Sequence, residues 1–151
     1  MTSPLHHRST DTQHDQRRWR YAVTATLSSE EALRHYLDWL MDGHVVAVCA
    51  WAEEAEIVEY TPTSGVHGEG RALEAWSAES VYWFTDREAF ERYEEEGAPA
   101  LRSEGVTLSR QLSERGLGEI SFKRVFGWST TLSAPRSHHT QRLSQPPHTS
   151  S

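Results

Sequence analysis

In this chain of 151 residues, His44 is the side chain whose type and surroundings best suit chemistry. It follows Tyr36 and Trp39 at helical spacing if a helix runs on through Gly43. An imidazole ionises near neutral pH, so His44 qualifies as a general base or as a pH-sensitive contact to a ligand. The competing reading is structural: an imidazolium at a helix C-terminus meets the negative end of the dipole and caps it. His35, Asp38 and Asp42 stand at i, i+3 and i+7 and can share a helix face. That is a conceivable donor set for a metal, but an exposed histidine among helical acids is the commoner arrangement, and no metal is expected.

Further along, Tyr93, Pro99 and Arg102 lie close together in sequence. Tyr93 reads as a core residue whose hydroxyl reaches a partner. Pro99 suits a turn after a helix. Arg102 either binds an anionic ligand or pairs with Glu96 or Glu104, and the ion pair is the preferred reading. Cys49 sits in the apolar run Val45–Ala50 and reads as a buried small hydrophobe rather than a nucleophile. As the lone cysteine it can form neither an internal disulfide nor a cysteine zinc site. The glycines of Gly65–Gly70 lack the strand-to-helix context of a phosphate loop and read as a hairpin loop. No Ser/His/Asp order and no H-E-x-x-H motif is present.

These residues have to be positioned by regular elements. Tyr21, Val23, Ala25 and Leu27 alternate with polar or small residues, which predicts a strand. Ser28 and Glu31 have capping-box spacing, so a helix is expected to start there, with Leu33, Tyr36, Leu37, Leu40 and Met41 on its apolar face and Gly43 as its stop. His44–Ala50 reads either as a short second helical segment or as the lead into a strand. Trp51–Tyr60 is a predicted strand, 61–71 a loop and Leu73–Phe84 another strand. Thr85 and Glu88 again suggest a capping box, opening a helix that ends at Gly97 and Pro99. Ala100–Gly105 reads as a short turn or helix, and Glu119–Trp128 as the last strand. The order β-α-β-β-α-β is the α+β, ferredoxin-like arrangement: a four-stranded antiparallel sheet with two helices on one side.

Residues 1–18 and 129–151 carry almost no periodic apolar residues, and both are expected to be disordered around a domain at 19–128. Six of the nine histidines fall in these tails and read as solvated. The formal charge is −7; the tails hold net +3 (Arg8, Arg17, Arg18, Arg136 and Arg142 against Asp11 and Asp15), which leaves −10 between them. So acidic a domain repels phosphate backbones, and nucleic acid is not an expected partner. No run approaches the roughly 18 apolar residues of a membrane span. With no secretory leader in view and one cysteine, a cytoplasmic location is expected.

Two helices cover only one face of such a sheet. Trp76, Tyr82 and Phe84 fall on one face of their strand and Val81 and Trp83 on the other, while Ile57 and Val58 also point apart. Burial of a large apolar side chain is worth roughly 1.5–3 kcal/mol, so an uncovered apolar face calls for a partner. The expectation is a homodimer packed sheet against sheet, unless a tail or long loop covers that face.

The run Leu37–His44 (Leu-Asp-Trp-Leu-Met-Asp-Gly-His) resembles the W-L-x-W-M-x-x-x-H segment of a small bacterial domain-of-unknown-function family. Phe90–Gly105 is similar to that family's second-helix signature, approximately Y-x-x-Y-x-x-x-x-A-P-x-L-R-x-E-G, and Phe122–Phe126 to its closing strand. The likeness covers about Tyr21 to Trp128, with departures at Gly97, where that family often has His, at Ala52, where it often has Gly, and through 53–80. It implies a ferredoxin-like, dimeric α/β-barrel fold and no established activity. More distant relatives on this fold include cofactor-free monooxygenases of antibiotic biosynthesis, haem-degrading enzymes and small lyases or cyclases, which place ligands between the sheet and its helices. The expected function is therefore a dimeric domain that binds a small apolar ligand or a partner protein without catalysis. Tyr36, Trp39, His44, Tyr93 and Arg102 are its ligand candidates, His44 is the one catalytic candidate, and no cofactor is called for. The alternatives are a cofactor-independent monooxygenase or cyclase on an aromatic or polyketide-like substrate and, behind it, haem binding or degradation with His44 as axial ligand.

Overall fold

The structure, a computed structural model, describes residues 17–63, 66–68, 70–71 and 75–132. The tails beyond these limits, with their six histidines, lie outside the described residues. The elements in chain order are β1 (Arg17–Leu27), α1 (Glu30–Trp39), α2 (Val45–Val48), β2 (Glu54–Tyr60), β3 (Val66–His67), β4 (Gly70–Arg71), β5 (Trp76–Phe84), α3 (Arg87–Arg92), α4 (Ala98–Glu114) and β6 (Ser121–Thr130). β1 and β6 thus reach two residues past each end of the expected domain.

The main sheet has the order β2-β5-β1-β6, and β3 and β4 form a small hairpin in the long β2–β5 connection. β5 runs antiparallel to both its neighbours. β6 runs antiparallel to β1 as well: Trp128 meets Trp19, Phe126 meets Tyr21, and Ser129 Oγ donates to the Arg18 carbonyl. This is the ferredoxin-like α+β fold.

Register decides the faces. Trp19, Tyr21, Val23, Ala25 and Leu27 pair with Phe84, Tyr82, Ser80, Ala78 and Trp76, and this is the face the helices cover. Its large aromatics gather in one cluster around Trp19, Tyr21, Tyr82, Phe84, Phe90 and Tyr93, with a second cluster around Leu33, Tyr36, Leu40 and Leu112. The opposite face carries Val81 and Trp83, as their alternation with Tyr82 and Phe84 requires. Trp83 and Tyr60 are its aromatics, around Ala22, Val58 and Val81. Arg18 bridges to Glu54 at 2.7 Å and reaches over the Trp83 ring, while Arg20 approaches Glu79. Exposed large apolar side chains run along the edge strand β6, at Phe122, Val125, Phe126 and Trp128, and stand also at Met41, Val46, Val106 and Leu132.

Three local expectations are displaced. Ser29, not Ser28, caps α1 by accepting from Ala32 N–H at 3.1 Å, and Ser28 Oγ donates instead to the Leu117 carbonyl. Asp86, not Thr85, caps α3, accepting from Ala89 N–H at 2.8 Å. In both cases the run offers adjacent cap formers, and the extended backbone falls on the second. Pro99 does not end a helix. It stands in the first turn of α4, where its missing N–H has no intrahelical bond to make. α4 then runs 17 residues, far past Gly105, with Leu101, Gly105, Leu108 and Leu112 toward the core. Ser103, Thr107 and Ser109 between them dilute the apolar stripe that would have announced it.

Neither covering helix is continuous. Between α1 and α2 the chain kinks at Leu40–His44, where Gly43 takes φ 121° and Val45 N–H bonds to the Leu40 carbonyl five residues back. Between α3 and α4 the turn widens at Tyr93–Gly97, again with a five-residue bond, Ala98 N–H to the Tyr93 carbonyl. Gly43 therefore interrupts the helix without stopping it, and the ambiguous run after it resolves as the helical turn α2. Single wide turns like that at Tyr93–Gly97 often flank functional sites.

Candidate functional site

A cavity of about 230 Å³ lies between the sheet and the helices. Tyr21 and Val23 of β1 and Ser80 and Tyr82 of β5 line it from the sheet. Tyr36, Trp39, Leu40 and His44 line it from α1 and its kink. Tyr93 comes from the second wide turn, Leu101, Arg102, Gly105 and Val106 from α4, and Phe122 and Arg124 from β6. The two helix irregularities thus contribute Leu40, His44 and Tyr93 to one space. All five ligand candidates read from the sequence, Tyr36, Trp39, His44, Tyr93 and Arg102, border it.

Six of the fifteen lining residues are Tyr, Trp or Phe. Trp39 packs its ring on His44 with centroids 4.2 Å apart and planes 30° apart, and it lies beside Tyr36 at 5.8 Å. Gly105 keeps the space open. A β-carbon there would sit 3.7 Å from the Trp39 ring and 4.0 Å from Phe122, and anything longer would enter the cavity.

Within this apolar wall, polar groups stand without partners. His44 Nδ1, Ser80 Oγ and Tyr82 OH are buried and make no hydrogen bond of good geometry. The hydroxyls of Tyr36 and Tyr82 both approach Ser80. A buried polar group left unpaired costs roughly 1–3 kcal/mol. Burial pushes the His44 imidazole down to about 4, so it is neutral at pH 7. Burial also pushes the Tyr36 phenol up to about 12, and raises Tyr82 and Tyr93 too, so all three stay protonated. His44 makes no side-chain capping bond to α2, and burial disfavours the charge that a dipole contact would use.

One side of the cavity is charged. Arg102 and Arg124 each donate through Nη2 to the same oxygen, Glu94 Oε1, the Arg124 contact being 2.7 Å. Arg124 Nε donates to Tyr21 OH at 2.9 Å and its guanidinium lies 5.2 Å from that ring. Arg102 therefore pairs with Glu94, not with Glu96 or Glu104 as its sequence neighbours suggest: α3, the wide turn and α4 bring positions eight apart together. Two guanidiniums against one carboxylate leave a local charge of +1.

The remaining candidates lie elsewhere. His35, Asp38 and Asp42 do not converge; among the described residues no three His, Cys, Asp or Glu side chains form a metal-binding group. Cys49 is half-buried and burial raises its thiol, which leaves it without thiolate character at neutral pH. Sequence reading missed Tyr21, Ser80, Tyr82, Glu94 and Arg124. Two of them leave a trace. Ser80 is the polar residue within the buried alternation Trp76, Ala78, Tyr82, Phe84, and Arg124 stands between Phe122 and Phe126 on the face of β6 turned to the helices.

No family model matches the chain, and no curated protein does. Among solved structures it is similar to a dimeric ferredoxin-like protein from an uncultured marine organism, at 16% identity over 80% of this chain and 96% of that one, TM-score 0.43. A PII-like signaling protein of Thermus thermophilus aligns at 13% identity over 75% of this chain and 89% of that one, TM-score 0.32. A hydantoinase/carbamoylase family amidase of Burkholderia ambifaria aligns at 12% identity over 86% of this chain and 32% of that one, TM-score 0.37. The fold assignment rests on strand order and register, not on these likenesses.

Proposed function

We propose that this domain binds one small, largely apolar molecule in the cavity between sheet and helices. The observation that carries this reading is the cavity itself: an aromatic space of about 230 Å³, held open at Gly105, with unpartnered polar atoms on the residues around it. A cavity of about 150 Å³ accommodates benzene, so this one suits a ligand of about two fused rings. A space of about 230 Å³ favours such a ligand over a haem, which is several times larger. Catalysis is the weaker reading, because a cofactor-independent oxygenase or cyclase needs a base able to take a substrate proton at neutral pH. His44, held near 4, is too feeble a base for that.

Isothermal titration with 2-naphthamide tests the binding site. The wild type is expected to bind it, and Gly105→Leu, whose side chain fills the space beside Trp39, is expected to lose it while melting as a folded domain. Equal binding by both proteins places the ligand elsewhere and refutes the cavity as the site. Native mass spectrometry of freshly purified protein then reads any molecule retained.

The domain is further proposed to be a homodimer through the back of the sheet, the arrangement of a dimeric α/β barrel. Support comes from the half-buried Val58 and Trp83 on that face, bordered by the exposed Val125 of β6 and by the Arg18–Glu54 pair. An apolar centre with a polar rim is the anatomy of a protein interface. Sedimentation equilibrium at tens of micromolar should give the dimer mass for the wild type and a smaller mass for Val125→Glu; a wild-type monomer refutes it. The sequence likeness of Leu37–His44 and Phe90–Gly105 to a bacterial family of dimeric α/β barrels points the same way.

A further inference from the structure

From the charged side of the cavity we infer that the ligand is a monoanion, an apolar carboxylic acid whose carboxylate docks on Arg102 and Arg124 while its hydrocarbon body lies against Trp39, Tyr36 and Phe122; this rests on the cavity being a binding site. The two guanidiniums come from different elements, α4 and β6, and both line the cavity. They are held together by a single carboxylate oxygen, Glu94 Oε1. That one oxygen takes one N–H of each guanidinium, and a guanidinium has five in a planar fork matched to carboxylate geometry, so both keep donors to offer a ligand. Tyr21 OH accepts from Arg124 Nε and so keeps its own proton to donate. Three donor groups therefore border one mouth of an otherwise apolar space.

The charge arithmetic sets the valence. One more negative charge neutralises the trio of two arginines and one glutamate, whereas a dianion such as a phosphate monoester overshoots in a chain already at −7. The site is half-shielded, with the three side chains between 27% and 40% exposed, so the attraction works in a medium less polar than water. His44 and the three buried phenols add no charge at neutral pH, which leaves the trio as the electrostatic determinant among the groups bordering the cavity.

Titration calorimetry with a matched pair, 2-naphthoate and 2-naphthamide, tests this on the full chain. The carboxylate is expected to bind at least tenfold tighter than the amide. Arg124→Gln should weaken naphthoate more than naphthamide and so erase most of that preference. Glu94→Gln should move the other way and tighten naphthoate several-fold, because it removes the negative charge that the ligand's carboxylate must compete with. A variant that merely loosened the fold would not strengthen one ligand selectively. If both probes bind the wild type equally well, the anion inference falls and the cavity reading stands. If neither binds, both fall. Inorganic phosphate competing with naphthoate at equal concentration would show that the arginines take a phosphate in place of a carboxylate, and would overturn the assignment.

Discussion

His44 offers the sharpest test of the structure, because two accounts of it predict opposite signs. A free imidazole titrates near 6.5; burial beside Trp39 lowers the folded value to about 4. Above pH 6.5 the ring is neutral in both folded and unfolded chains and contributes nothing to pH dependence. As the pH falls from 6.5 to 4.5 the unfolded chain takes up a proton that the folded chain refuses, so stability is lost across that window. At 1.36 kcal/mol per pH unit the loss is at most about 2.7 kcal/mol, and the ring's partial contact with solvent trims it to about 2 kcal/mol. For a domain of about 110 residues that is a fall of roughly 6–12 °C in melting temperature. The assay is thermal melting of wild type and His44→Phe at pH 7 and pH 4.5. Phenylalanine keeps the stack on Trp39 without a titrating group, and carboxylates titrate alike in both proteins, so they cancel in the difference. The wild type should lose that increment relative to the variant on acidification. Parallel curves would refute the buried, neutral histidine. If His44 instead capped a helix as a cation, its folded value would lie above 6.5 and the wild type would gain on the variant as the pH fell.

Two further outcomes test the scaffold around the site. A β-carbon at Gly97 would meet Trp51 Nε1 at 2.6 Å and Cε2 at 3.0 Å. Gly97→Ala must therefore displace the indole and is expected to cost about 1–3 kcal/mol, read as an earlier midpoint in urea denaturation. Unchanged stability would mean that Trp51 does not pack there. Asp86→Ala removes the oxygen that accepts from Ala89 N–H, at an expected cost of about 1 kcal/mol, whereas Thr85→Ala should cost markedly less. The reverse order in thermal melts would restore the capping box at Thr85.

The architecture was legible because period-two and period-four patterns survive local noise. Tyr21, Val23, Ala25 and Leu27 alternate, and so do Ala78, Tyr82 and Phe84, and no helix explains either run. What was not legible came from competition between equivalent local solutions. Ser28 and Ser29, like Thr85 and Asp86, are neighbouring cap formers, and only tertiary placement chooses between them. Ser28 is taken by the Leu117 carbonyl at the far end of α4, a contact 89 residues away that no window of sequence contains. α4 itself was cut short because Gly105 and four hydroxyl residues lower its local helix preference, which burial of Leu101, Leu108 and Leu112 then overrides.

The site divides along the same line. Tyr36, Trp39 and His44 were visible because one helix and its kink carry them in a single stretch, and Tyr93 and Arg102 because they sit in one likeness-bearing run. Glu94, Tyr21 and Arg124 were invisible as a group because the chain separates them by up to 103 residues and only the pairing of β6 with β1 brings them together. Yet those long-range partners change the chemistry of the local ones. Read alone, Arg102 looks like half of a surface ion pair with a neighbour on its own helix, worth under about 1 kcal/mol. Beside Arg124 and a single shared carboxylate oxygen, it becomes half of a net positive mouth on an aromatic cavity. The residue type is the same in both readings. The strand that closes the sheet supplies the second guanidinium, and so a fold legible from patterns alone can conceal the charge of its own pocket.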